Sequence, residues 1–282
     1  MPTKSSTMEL RISEDEVVSL LQEMVRIPSH MYVRNGERRI AELLATYFRK
    51  NNISSRIESV GKGVNVFATI GRPDVGSPSM MFNAHLDTVP PGNMVLPPFE
   101  GRIENGVLYG RGACDMKGVL ASMAAALVAV KRSQANIDGT LLFVGVSGEE
   151  SGSSGTRRIV QKGPRTDCAI VGEATSLRIA PASKGMVYAR IVVKGKAAHG
   201  SAPWKGINAI EKATKIVAYM NKSLPRVLKT KRHKLLGSPS YNLGVMRAGT
   251  QPNIVPDQCI MMIDRRIIPG ERIDELRREF EV

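Results

Sequence analysis

The chain has 282 residues, 42% of them hydrophobic and 23% charged, which is ordinary material for a globular protein of one or two domains. No apolar run is read as reaching membrane-spanning length, the N-terminus MPTKSSTMELRIS has no apolar signal segment, and three scattered cysteines argue against a disulfide framework. The formal charge of +14 raises nucleic-acid binding, but most of it is spread over helices. The one dense basic run, Arg226 to Lys234 (RVLKTKRHK), reads as a solvated loop without interleaved aromatics.

Residues 1–12 read as a frayed tail. Ser13 with Glu16 forms a capping box, and Val17, Leu20, Leu21, Met24 and Val25 follow at helical spacing up to Pro28. A second amphipathic helix carries Ile40, Leu43, Leu44, Tyr47 and Phe48. Strands are expected over 53–59, 65–70 and 80–84, the last ending in His85-Leu86-Asp87. Asn105-Gly106 marks a hairpin, and the glycine-rich turn before Asp115 opens an alanine-rich helix running to about Arg132. Leu141 to Val146 is another apolar strand, ending in Ser147-Gly148-Glu149-Glu150, and Cys168 to Val171 ends in Gly172-Glu173.

His85 and Asp87 alternate to the same side of their strand, so the Asp can accept the second ring N–H and leave the other nitrogen for a metal. The adjacent carboxylates Glu149 and Glu150 repel each other at a strand end unless a cation lies between them. Three strand ends therefore carry His85/Asp87, Glu149/Glu150 and Glu173, with Asp115 between the first two. His plus carboxylates suits zinc, or cobalt or manganese, in a two-metal hydrolytic site. No serine or cysteine nucleophile is needed, and Cys114 reads as a packing residue.

After Glu173 the pattern changes to strand (187–193), a loop holding His199, helix (207–224), strands (241–247 and 258–267), and a helix from Glu271 still running at Val282. This is a ferredoxin-like unit lacking its last strand. The expected fold is α/β: a mostly parallel-sheet domain with helices on both faces (1–183), and a ferredoxin-like α+β unit (184–282).

The ordered motifs NAHLDTVP, YGRGACDMKG, SGEESGSSGT, IVGEAT, GKAAHGSAP, QPNIVPDQC and DRRIIPG resemble the metallopeptidase family of acetylornithine deacetylase, succinyl-diaminopimelate desuccinylase, aminoacylase-1 and glutamate carboxypeptidase. The resemblance implies that the 184–282 unit is an inserted lid and dimerisation domain, with a homodimer formed through it. It also implies two zinc ions, with His85 and Glu173 on one, Glu150 on the other, and Asp115 bridging. It assigns Glu149 as general base, Asp87 as the group orienting His85, and His199 as oxyanion stabiliser from the partner subunit. Asn253 and Arg266 would hold the substrate. The substrate so implied is an N-acyl amino acid or short peptide; the scattered cysteines suit a reducing cytoplasm, and charge and composition point to no nucleic-acid or membrane partner. One departure stands out: the family's further His ligand follows the lid, and here the histidines are His30, His85, His199 and His233. The expectation is a fragment of a longer enzyme, or a truncated and catalytically impaired chain that binds one metal or serves in oligomerisation.

Overall fold

The computed structural model describes residues 10–71 and 76–280, so the expected tail is described only from Leu10, and the last two residues lie outside it. The chain divides into two compact units, Met1–Leu177 and Arg178–Val282.

In the first unit, α1 (Glu14–Val25) and α2 (Gly36–Lys50) precede β1 (Ser54–Val60), β2 (Gly63–Gly71) and β3 (Ser79–His85). A hairpin, β4 (Arg102–Glu104) and β5 (Val107–Tyr109), leads through an irregular turn, Ala113–Lys117, into α3 (Gly118–Arg132). Then come β6 (Thr140–Val146), α4 (Ser154–Lys162) and β7 (Cys168–Val171). The main sheet has the order β1-β2-β6-β3-β7. β3 lies parallel to both β6 and β7, while β2 is antiparallel to β6 and to β1. Four of the five strands thus share one direction, with β2 reversed, which is the mostly parallel arrangement expected from the short apolar runs.

Helices cover both faces, because each face of the sheet is apolar. Leu20 and Met24 of α1, Ile40, Leu44 and Phe48 of α2, and Leu120 and Leu127 of α3 bury against Val66, Ala68, Ala84 and Phe143. The Phe48 and Phe143 rings meet edge to face with centroids 5.0 Å apart. On the other face Ile159 of α4 packs with Phe67, Met81, Leu142 and Val144. Each large aliphatic or aromatic side chain among them contributes roughly 1.5–3 kcal/mol when fully buried. The hydroxyl of Ser13 accepts the Glu16 amide proton at 3.3 Å, but the Glu16 carboxylate turns away to Tyr47 and Arg132. Only half of the expected capping box forms, since a guanidinium is the stronger partner.

Residues Ala113–Arg132 form a segment long and apolar enough, by length and composition, to cross a membrane, contrary to the sequence expectation. Its apolarity has a different cause here: Leu120, Ala121, Ala124, Leu127 and Val128 are core residues.

The second unit runs β8 (Gly185–Lys194), α5 (Ala209–Thr230), β9 (Ser240–Ala248), β10 (Gln258–Ile267) and α6 (Ile273–Glu279). Its sheet is antiparallel with the order β8-β10-β9. The face of α5 bearing Ala209, Ala213, Met220 and Leu224 packs on Val193, Cys259, Met261 and Ile263. Two expectations are corrected. Helix α5 continues to Thr230 with Pro225 inside it, so half of the basic run is helical. Helix α6 ends at Glu279, with Phe280 as its cap. Lys231, from the same run, is no solvated loop charge: it pairs with Glu271 at 3.0 Å and Glu279 at 3.1 Å. These two glutamates also hold the fully buried Arg265, so the cluster ties α5, β10 and α6 together.

Candidate metal centre

Because β3, β6 and β7 are parallel neighbours, their C-terminal ends open on the same edge of the sheet, where α/β proteins bind ligands. His85 is the last residue of β3, Glu149 and Glu150 follow β6, and Glu173 follows β7. Asp115 enters from the irregular turn before α3, whose Asp115–Met116 peptide is cis.

One ligand nitrogen or oxygen from each of His85, Asp115 and Glu173 lies within 4.8 Å of the others. His85 is 3% exposed, and its Nδ1 bonds the Asp87 backbone carbonyl at 2.9 Å. A carbonyl only accepts, so Nδ1 carries the proton and Nε2 is turned to the site, 3.1 Å from Asp115 Oδ1. Burial alone would lower the imidazole pKa, but hydrogen bonds and charge from Asp87, with charge from Glu173, outweigh it and raise it to about 9. Burial raises Glu150, as does the nearby charge of Asp115. Glu173 is likewise raised by burial, with His85 opposing and the charges of Asp115 and Glu149 adding to it. Clustered carboxylates that disfavour one another's ionisation, around one imidazole nitrogen, are short of positive charge. A divalent cation with nitrogen and oxygen ligands fits that deficit, so the donor set suits the expected metal.

Asp87 does something the sequence did not reveal. Its carboxylate stands 3.6 Å from His85 Nδ1, whereas Oδ1 accepts the Glu149 amide and Oδ2 the Glu150 amide, each at 3.0 Å. It orients His85 through its carbonyl and grips the glutamate loop through its side chain. Glu37, in the first turn of α2, accepts the Gly148 amide at 2.8 Å, and Asn65 accepts the Ser147 amide at 3.1 Å. Burial pushes the Glu37 carboxyl up to about 7, with the Gly148 amide opposing and the Asp87 charge adding to it. Both residues were missed as site groups. For Asn65 a signal existed, a polar amide in the middle of an apolar strand; for Glu37 none did, since an acidic first-turn residue is common.

Lys117 is fully buried, and its ammonium donates to the carbonyls of Met24 at 2.9 Å and Ile27 at 2.8 Å. It fastens the Asp115 turn to the C-terminal end of α1, and burial lowers its pKa to about 7. Cys114 is exposed, which corrects its reading as a packing residue. A cleft of about 700 Å³ lies beside the loop, lined among others by Tyr32, Arg34, Arg38, Lys62 and Asp87. A larger one, of about 1110 Å³, is lined by Lys50, Lys131 and Asp138 and includes none of the donor residues.

The remaining expected residues belong to the second unit. His199 is exposed, and its Nδ1 accepts the Ser201 amide at 3.2 Å and lies 2.7 Å from the Ser201 hydroxyl, leaving Nε2 without a hydrogen-bond partner among the described residues. The neighbouring Gly200 amide bonds the Asn253 carbonyl at 2.7 Å, so the His199 and Asn253 loops run side by side. Arg266 is exposed on β10 and pairs with Asp264 at 2.9 Å.

Parallel strands here deliver a histidine and several carboxylates to one sheet edge, which makes this an α/β domain with a group of side chains able to hold a metal ion. Residues 81–225 match the model of peptidase family M20/M25/M40, and residues 182–282 match a peptidase dimerisation domain. A Pyrobaculum aerophilum protein provisionally named LysW-lysine/LysW-ornithine hydrolase is 32% identical over 264 residues, covering 93% of this chain and 69% of the relative. A probable succinyl-diaminopimelate desuccinylase of Staphylococcus epidermidis is 28% identical over 286 residues, covering 92% and 69%. Among solved structures, an M20 family metallo-carboxypeptidase of Sulfolobus solfataricus superposes with a TM-score of 0.75 at 20% identity, covering 95% of this chain and 74% of that one. A Staphylococcus aureus tripeptidase gives 0.68 at 25% identity, covering 95% and 70%. The chain belongs to peptidase family M20/M25/M40 and is a hydrolase of that family.

Proposed function

We propose that the protein hydrolyses the amide bond of N-acyl amino acids or short peptide-like substrates, using divalent metal held by His85, Asp115, Glu150 and Glu173, and that it works as a homodimer. The observation carrying this reading is the convergence of His85, Asp115 and Glu173 at the ends of parallel strands. Metal at these residues, zinc by preference for its nitrogen and oxygen donors, would lower the pKa of water and polarise the scissile carbonyl. Glu149 takes the proton from the attacking water and passes it to the leaving amine. Asp87 keeps Nδ1 of His85 protonated, so that Nε2 is the nitrogen that gives up its proton on binding metal, and it holds the amides of both glutamates. In the second unit, His199 with its free Nε2 is suited to an oxyanion, and Asn253 and Arg266 to the substrate's amide and carboxylate groups. The dimerisation-domain match supports the homodimer.

The test is Glu149→Gln. It should leave bound zinc within about 20% of the parent and lower kcat on acyl-amino acids by roughly 10²–10⁴-fold. Near-normal turnover in that variant would remove Glu149 from its role. A second reading has its own support: the donor group found complete is His85, Asp115 and Glu173, with Glu150 outside it. On that reading the protein holds one metal and binds or oligomerises without turnover. Zinc uptake with no hydrolysis of any acyl-amino acid would favour it.

A further inference from the structure

The segment that carries Glu149 and Glu150 has a run of backbone amides, Ser147 to Glu150, each held by a side chain from elsewhere. Asn65 takes the first, Glu37 the second, and the two oxygens of Asp87 the third and fourth, at 2.8–3.1 Å. Such a run can face its acceptors only if the backbone turns sharply, and Gly148 does so at φ +67°. Two of the holders are carboxylates, and amide bonds to a carboxylate are about twice as strong as those to a neutral acceptor. The grip opposes the tendency of Glu149 and Glu150 to swing apart when both are charged.

Glu37 differs from Asp87 in standing outside every candidate role: its hydrogen bond goes to the Gly148 amide rather than to a candidate ligand. A first-turn glutamate ordinarily lies in solvent, complementing the helix dipole. This one turns inward, and the sequence opposite makes room for it. A Cβ on Gly63 of β2 would stand 2.6 Å from Glu37 Oε2, 2.6 Å from Ser147 Oγ and 2.7 Å from Ser147 Cβ. Any side chain at position 63 must therefore displace the carboxylate or the loop.

We propose that Glu37 is a positioning residue of the hydrolytic site. Through the Gly148 amide it fixes the segment bearing Glu149 and Glu150, and Gly63 is kept bare so that its carboxylate can reach. This rests on the reading of Glu149 as the base, and the experiment separates the two. Hydrogen exchange is measured on the full chain for the parent, Glu37→Ala, Glu37→Gln and Gly63→Ala, beside kinetics on an N-acyl amino acid, with Glu149→Gln as reference.

Glu37→Ala should speed exchange at Gly148, Glu149 and Glu150 by about 10–100-fold, with Leu142 to Val144 of β6 changed by less than about 3-fold. It should lower kcat roughly 10-fold or more while KM stays within about 3-fold. Glu37→Gln, which keeps an acceptor oxygen for Gly148, should recover most of both, and Gly63→Ala should behave like Glu37→Ala without touching that residue. Unchanged exchange at 148–150 in Glu37→Ala would overturn the proposal. So would exchange that rises equally throughout β6, or a loosened loop with undiminished kcat in an assay that Glu149→Gln silences. If Glu149→Gln itself turns over normally, the base assignment fails, and the exchange data alone decide whether Glu37 fixes the loop.

Discussion

Replacing Asp87 with Asn tests the division of labour the structure assigns to that residue. Asp87 is 4% exposed and accepts two amides, from Glu149 and Glu150, both at 3.0 Å. A hydrogen bond to a charged group is worth roughly 1.5–3 kcal/mol. Asn offers one acceptor oxygen, and its NH₂ would face the other amide donor to donor. One bond is lost and one buried N–H is left unsatisfied, for a cost of roughly 2–4 kcal/mol. With a urea m-value of about 2 kcal/mol/M, the unfolding midpoint of metal-free protein should fall by roughly 1–2 M. The change also withdraws negative charge from beside His85, so its pKa, now about 9, should fall when followed by NMR. A variant as stable as the parent to within about 0.5 kcal/mol, with the Glu149 and Glu150 amides still protected from exchange, would refute the grip.

Arg265→Met leaves Glu271 and Glu279 buried with Lys231 as their remaining cation in the cluster, and should destabilise the second unit by roughly 3–5 kcal/mol. Arg266→Met, next in sequence but exposed, should cost less than about 1 kcal/mol in the same denaturation experiment, and equal losses would contradict the buried cluster. Zinc titration after dialysis against chelator should show one tight metal lost in His85→Ala and kept in Glu150→Gln, because Glu150 lies outside the three-donor group; the reverse order would displace that group as the primary position. In metal-free protein Glu37 has a folded pKa of about 7, above its ordinary value of 4.5, so the folded state binds the extra proton between those values. Its contribution to stability is therefore greatest below about pH 4.5, declines as pH rises to 7, and is level above that. Full desolvation would make this roughly 3 kcal/mol, and solvent reaching the side chain reduces it to roughly 1–2. The parent should show this slope in urea midpoints and Glu37→Gln should lack it.

Local patterning carried much of the molecule. The helical spacing of Leu20 and Met24, the left-handed hairpin residues Asn105 and Gly106, and the apolar runs ending at His85 and Val146 all set elements where the structure has them. The candidate ligands were legible for the same reason: a polar residue that ends an apolar strand has little else to do there. The length of α5 was not legible, since Pro225 reads as a stop, yet the apolar face through Leu224 and Leu228 keeps the helix intact past it. Nor was the cause of the apolarity of α3, which only burial between sheet and helices distinguishes from that of a membrane span. The clearest case is the grip on the glutamate loop. Glu37 and Gly148 are 111 positions apart, and Asp87 and Glu149 are 62 apart. Side-chain bonds to backbone amides leave no mark at the amide's end, because every residue except proline has one. The chain's order and chemistry thus set which residues reach the sheet edge, and the folding of α2 and β3 against β6 decided how they are held there.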